Sequence, residues 1–371
     1  MKSADVIDLL QNPLQIICKD YKKLRQRYGS KIIMNNEQIK KELASSNKKP
    51  ILSIIIVNYN VKEYILNCIQ SIQDKIDAKR IPFEVIVSDN GSVDESVQTV
   101  RKNFPWVRVI ENNANIGFSK GNNIGATQAE GQVLFFLNPD TIIVNGIEDI
   151  CDYIVSHKEV GGIYPLVLDR NNRVVYLPHL PLCIMPFYWL IYPIFLTPLA
   201  RFLIIFRKFI YNKHIKQKTV LNANSFDGSA LLLRKEVFEK IGMFDEQIFM
   251  YFEEFDISKR LKKYKYKIQM FPKANLIHFG GTSSQHGHSL RSKILFIQSM
   301  KTVLKKHYKR SWYVRYYLEA FLYIKEASVT YVKVIINFFA RKDNKSNLLY
   351  IRYCLKYVQT MQQVIKGKAE F

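Results

Sequence analysis

From residue 51 onward the sequence repeats one arrangement: a short apolar run, a turn carrying Asn, Asp or Gly, then a stretch with helical spacing. The runs 52–57, 83–88, 107–111 and 133–137 read as strands, and 62–73, 92–103 and about 118–129 read as the helices between them. The runs 52–57 and 133–137 lack the polar alternation of a half-exposed strand and read as buried. Short apolar strands alternating with helices imply a mostly parallel sheet, since parallel neighbours need a crossover connection that a helix can supply. The expected class is therefore α/β, a mostly parallel sheet flanked by helices. Ser92-Val93-Asp94-Glu95 has the form of a capping box and predicts that the second helix opens at Ser92. Further on, 226–233, 267–270 and 276–278 read as strands, and 235–241 and 254–263 as helices.

The chain of 371 residues is long enough for one large domain with appendages. Residues 1–49 read as a helical, basic extension, 50–285 as the core, and 286–371 as a basic, amphipathic helical region. Fifty-five Lys and Arg against 32 Asp and Glu give a net charge of +23, which calls for a polyanionic partner. Residues 291–371 alone carry 17 basic and 4 acidic side chains, interleaved with Tyr, Phe, Ile, Leu and Val. That mixture suits helices lying on an anionic membrane surface better than a nucleic-acid arm, and no recognition-helix or RNA-binding signature accompanies it. The competing reading is a basic subdomain packed on the core. Residues 174–200 contain no charged side chain but five prolines, within an apolar insertion of about 174–222. Prolines oppose a regular spanning helix, and motifs on both sides of the insertion must share one face of any bilayer. It is read as interfacial or re-entrant, with a buried insertion as the alternative. Five scattered cysteines without a C-x-x-C pair speak against disulfides and zinc. Asp5 and Asp8 interrupt the first apolar stretch, so no signal peptide is expected there. The expected location is cytoplasmic, peripheral on the inner face of the membrane.

In open α/β sheets ligands bind beyond the carboxyl ends of the strands. Here those ends carry Val57-Asn58-Tyr59-Asn60, Ser88-Asp89-Asn90-Gly91-Ser92 and Asn138-Pro139-Asp140. An Asp so placed can accept hydrogen bonds from a base or ribose, and a carboxylate beside a diphosphate is a ligand for Mg²⁺ or Mn²⁺. Each of these segments is also a plain turn former. The ordered set 52–60, Asp89-Asn90-Gly91-Ser92, residues 115–125, Leu137-Asn138-Pro139-Asp140, Asp227-Gly228-Ser229-Ala230, Arg234 to Phe244-Asp245-Glu246, Tyr251 to Asp256 and His278 to Ser283 resembles family 2 glycosyltransferases, nearest their rhamnosyltransferase-like branch. The resemblance covers residues 51–285 and implies the GT-A fold, a Rossmann-like sheet.

It further implies an inverting transfer from a nucleoside-diphosphate sugar to a hydroxyl of a glycan or polyprenyl-linked acceptor, assisted by Mg²⁺ or Mn²⁺. Asp89 would bind the nucleoside. Val57, Tyr59, Asn115, Gly117, Lys120 and Asn138 would line the donor side, with Gly117 permitting close backbone approach. Asp140 would hold the metal, and His278 would add a metal or diphosphate contact. Glu254 stands where the family's base stands, with Glu253 and Asp256 as alternatives; acidic residues opening a helix also serve its dipole. Asn138 and Glu254 both replace an Asp of the generic motifs. His286 and His288 are bystanders or parts of a lid, and Asn122 and Asn123 shape the first turn of their helix. A non-catalytic nucleotide-sugar or glycan binder of the same fold is the competing function.

Overall fold

The computed structural model describes residues 36–45, 49–175, 212–280, 290–308 and 345–366, with isolated positions between 312 and 337. Most of the apolar insertion, His286 and His288, and much of the region before residue 36 and after 308 lie outside the described residues.

Helix α1 (Asn36–Ser45) precedes a β/α succession: β1 (Leu52–Asn58), α2 (Lys62–Lys75), β2 (Phe83–Asp89), α3 (Ser96–Asn103), β3 (Arg108–Glu111), α4 (Phe118–Gln128) and β4 (Val133–Leu137). Then come β5 (Thr141–Asn145), α5 (Ile147–Ser156), β6 (Val160–Leu168), β7 (Leu221–Asn222), β8 (Ala230–Arg234), α6 (Lys235–Lys240), α7 (Glu253–Lys263), β9 (Lys267–His278), α8 (Leu290–Tyr308) and α9 (Lys345–Ile365).

The strand period of two decides which side chains go where. Ile54 and Ile56 of β1, with Val133, Phe135 and Leu137 of β4, join Ile65, Ile69 and Ile72 of α2 and Ile150 and Ile154 of α5 on one face. Ile55, Leu134 and Phe136 point the other way, into a second core with Phe238, Phe244, Ile257 and Leu261. Every residue of β1 and β4 is buried, which is why these runs carry no polar alternation. Phe136 packs with ring centroids 4.9 Å from both Phe238 and Phe244; emptying such a site costs about 3–5 kcal/mol.

The strands lie in the order β3-β2-β1-β4-β8-β6-β9-β5, with β7 beside β9. The first four are parallel, as read from the sequence. Beyond β4 the sheet is mixed rather than mostly parallel, because β8 runs antiparallel to both β4 and β6, and β5 antiparallel to β9, while β6 and β9 are parallel. The reversals matter for the site. They bring the start of β8 to the carboxyl end of β4, where Asn138 N–H donates to Ser229 O (2.9 Å). They also set Thr141 opposite His278.

Only three residues separate β4 from β5, a link that spans at most about 14 Å. Yet β8, β6 and β9 lie between them in the hydrogen-bonded order, about 19 Å on a flat sheet. The sheet must curl, and Asn138-Pro139-Asp140 sits where it does.

Two further readings change. Helix α3 starts at Ser96, not Ser92, because the Ser92 hydroxyl is claimed elsewhere: it accepts from Asn58 Nδ2 (3.0 Å) and from Asn60 N–H (3.0 Å). Asp94 supplies the turn instead, accepting from Ser96 N–H (3.1 Å). The two short strands expected at 267–278 are one strand, β9, paired along most of its length with β6.

Candidate active site

A cavity of about 470 Å³ opens at the carboxyl ends of β1, β2 and β4, within the usual range for small-molecule sites. The strand-end side is lined by Val57, Tyr59, Asn90, Asn115, Phe118, Asn138 and Asp140. A second side comes from later in the chain: Asp227 to Ser229 before β8, Met250 to Glu254 at the start of α7, His278 at the end of β9, and Phe296 of α8.

On the strand-end side, Asp89 does not face the cavity. It is 2% exposed, accepting from Asn58 Nδ2 (2.7 Å) through one oxygen and from Gly91 N–H (3.0 Å) and Ser92 N–H (2.9 Å) through the other. That is the work of a turn clamp. The clamp fixes the next residue, Asn90, which does line the cavity and donates to Gly117 O (3.0 Å). Gly117 has φ +88°, and a Cβ there would meet Phe249 O at 2.7 Å. Its close approach is therefore to its own chain, sealed by Phe118 N–H donating to Phe249 O (2.7 Å). Lys120 points away, half-exposed beside Glu246 at 4.0 Å.

Asp140 and His278 meet, with Oδ1 and Nε2 3.2 Å apart. Their closeness follows from the antiparallel β5–β9 pairing and from Phe279 N–H donating to Asp140 O (3.0 Å). Burial would lower the His278 pKa, but its hydrogen bond to Asp140 and the charges of Asp140 and Asp227 outweigh that and raise it. Asn138 Oδ1 is buried with no hydrogen-bond partner among the described residues. Asn138, Asp140 and His278 all line the cavity, and Asp140 supplies the carboxylate oxygen that Mg²⁺ or Mn²⁺ prefers; among the described residues no group of three or more His, Cys, Asp or Glu side chains could hold a metal ion.

The acidic segment divides. Glu253 and Glu254 line the cavity; Asp256, one of the alternatives, turns the other way. Glu254 is pushed up to about 7, by burial first and by the nearby Asp227 charge. Glu253 is raised well above the usual carboxylate range by burial and by Glu254. Asp256 has no exposed side-chain surface; it takes Arg260 (2.6 Å), His307 (2.7 Å) and Lys306 (3.0 Å). Burial would raise it, but those three partners win and hold it at about 2.

The lead-in to this helix is strained. Tyr251 (φ 71°) and Phe252 (φ 67°) are consecutive non-glycine residues in the left-handed region, at a cost of about 1–3 kcal/mol each. Helix α8 holds them there. Ser299 Oγ donates to Met250 O (2.7 Å), and the Phe296 ring packs on Phe252 at 4.8 Å and on Tyr251 at 5.8 Å. Phe296 escaped sequence reasoning, because nothing in its local pattern separates it from any apolar helix residue. Phe226, Met250 and Phe252 were also missed as lining residues; only Phe252 lay inside a quoted motif.

Comparison with known proteins follows the same lines. The model of the family described as "Glycosyl transferase family 2" matches residues 53–242. N-acetylglucosaminyl-diphospho-decaprenol L-rhamnosyltransferase of Mycobacterium tuberculosis is 24% identical over 250 residues, 62% of this chain and 76% of the relative. The low-salt glycan biosynthesis hexosyltransferase of Haloferax volcanii is 29% identical over 238 residues, 61% of this chain and 66% of its own length. Among solved structures, a mannosyltransferase from Pyrobaculum calidifontis in complex with GDP-Man and Mn²⁺ superposes with a TM-score of 0.52 at 12% identity, over 95% of this chain and 98% of that one. GalNAc-T7 with UDP, GalNAc and Mn²⁺ gives 0.51 at 15% identity, over 72% of this chain and 50% of that one. At these identities the two structures share the fold with this protein.

Proposed function

The chain belongs to glycosyl transferase family 2, and from that premise we propose that it moves a sugar, with inversion, from a nucleoside-diphosphate sugar to a hydroxyl of a glycan or lipid-linked glycan. The supporting observation is that Glu254, with a carboxyl poised at about 7, faces the same cavity as the Asp140–His278 pair. A base poised near neutral pH matches the work of removing a hydroxyl proton. Glu254 takes that proton from the acceptor as it attacks the anomeric carbon. In this reading Glu254 acts as the base and the acceptor hydroxyl alone attacks the sugar, which makes the transfer a single displacement. Asp140 and His278, with Asn138 beside them, would hold Mg²⁺ or Mn²⁺, which when bound offsets charge on the departing diphosphate. Asn90, Asn115, Val57 and Tyr59 orient the donor. Asp89 acts on it through Asn90, as a positioning residue.

The Mycobacterium relative suggests rhamnose as the sugar and a polyprenyl-linked acceptor. Exposed Tyr313 and Tyr317, and Leu348 and Leu355 with the exposed Arg352 and Lys356 of α9, support contact with an anionic membrane surface. Among the described residues no helix is long and apolar enough to cross a membrane.

A panel of nucleotide sugars with Mg²⁺ or Mn²⁺, scored for nucleoside diphosphate release, tests the reaction. Release that needs the cation and is lost in Asp140→Ala is expected; no release from any donor sinks the reading. Flotation with anionic liposomes tests the membrane contact, and protein left at the bottom of the gradient refutes it.

A further inference from the structure

Three features of the second side of the cavity converge on one ligand chemistry. The first is an aromatic surface: Phe252 and Phe296, ring centroids 4.8 Å apart and tilted by 54°, with Tyr251 against Phe296, all line the cavity. The second is a buried carboxyl oxygen without a partner. Glu253 is 8% exposed, lines the same cavity, and its Oε2 has no hydrogen-bond partner among the described residues. A buried polar atom left this way costs about 1–3 kcal/mol until a hydrogen-bonding group reaches it. The third is rigidity, since the Ser299–Met250 bond and the His307–Asp256 pair fasten α8 to both ends of the segment that presents these groups.

An aliphatic chain would cover the rings but leave Glu253 without a hydrogen-bond partner. An open-chain polyol would satisfy Glu253 but offers no flat C–H face to the rings. A pyranose does both, with axial C–H bonds toward the negative face of an aromatic ring and hydroxyls around its edge. We propose that Phe252, Phe296 and Glu253 form a subsite for a pyranose ring, which is the acceptor sugar whose neighbouring hydroxyl Glu254 deprotonates. The assignment of that ring as acceptor rests on the transferase reading above; the ring recognition itself does not. Phe252, Glu253 and Phe296 all lie beyond residues 53–242, the segment matched by the family model, and Phe296 is the one that α8 supplies.

Saturation-transfer NMR on the full chain, with methyl glucopyranoside, methyl galactopyranoside, methyl mannopyranoside and methyl N-acetylglucosaminide as probes, tests the subsite without turnover. At least one pyranoside is expected to receive saturation on its axial C–H protons, with ribitol and prenol showing none. Phe296→Leu should weaken that binding at least tenfold, Phe296→Tyr by no more than about twofold, and Glu253→Gln several-fold. In transfer assays the Phe296→Leu loss should fall mainly in the acceptor KM. Equal binding of ribitol, displacement of the sugar by prenol, or an unchanged Phe296→Leu variant overturns the proposal. Should a pyranoside bind while no nucleotide sugar is turned over, the subsite stands and the transferase reading falls. Turnover with no ring binding by any probe has the opposite meaning.

Discussion

The first turn of α7 has two sides, and they treat the same chemical group in opposite ways. Toward the cavity, Glu254 has the Asp227 carboxylate nearby and no ion-pair partner among the described residues; its carboxyl is pushed up to about 7. Toward α8, Asp256 is enclosed by Arg260, His307 and Lys306 and held at about 2. Two residues of spacing separate a poised group from a locked one. The helix dipole favours negative charge at this end for both, so the difference comes from neighbours. The poised carboxyl faces the cavity, and the paired one faces α8.

Replacing each carboxylate tests that division. Glu254→Gln should lower nucleoside diphosphate release by about 10²–10⁴-fold, and should leave folding intact. Asp256→Ala should instead lower stability by about 3–5 kcal/mol, since the Arg260 and Lys306 cations then face each other, beside His307, without their anion; chemical denaturation measures it. A folded, fully stable Asp256→Ala, or an active Glu254→Gln, would break the contrast.

Acidity sharpens it. Glu254 has a folded pKa above its ordinary value of 4.5, so its contribution to stability is full below about 4.5 and lost as pH rises to about 7. Asp256 has a folded pKa below its ordinary 3.8, so its contribution is present above that value and lost as pH falls toward 2. Thermal unfolding of Glu254→Gln should therefore rise relative to the parent chain between pH 4.5 and 7. The deficit of Asp256→Ala should be constant over that range and shrink below pH 3.8. Turnover should climb through about pH 7 as Glu254 loses its proton. The smallest effect is at Gly117→Ala, where a backbone at φ 88°, ψ 172° that glycine alone readily adopts costs about 1–3 kcal/mol and the Cβ must displace Phe249. It should lower the unfolding midpoint by a few degrees and loosen the strand-end side alone.

Much of this was legible in the residues. The buried runs of β1, β2 and β4 announced parallel neighbours, and the strand-end rule placed Val57, Tyr59, Asn138 and Asp140 on one cavity. What local pattern missed was set by distant partners. Asp89 looked like a ligand and serves as a clamp because Asn58 and two backbone amides reach it first. Ser92 looked like a cap, but Asn58 and Asn60 take its hydroxyl. The elements β5, α5 and β6 followed a turn whose exit direction the sequence does not state, so the mixed half of the sheet was not foreseen. Phe296 belongs to the site only because α8 packs on a strained pair of residues some 45 positions earlier, and no spacing rule encodes that.

The turn Asn138-Pro139-Asp140 ties the middle of the sheet to its outermost strand. A cation held at Asp140 would therefore pull on two places at once, like a drawstring through a purse. Slower amide exchange on loading should spread past the cavity into the hydrogen bonds of β5 and β9 at the rim, tightening the curl on which the shape of the cavity depends.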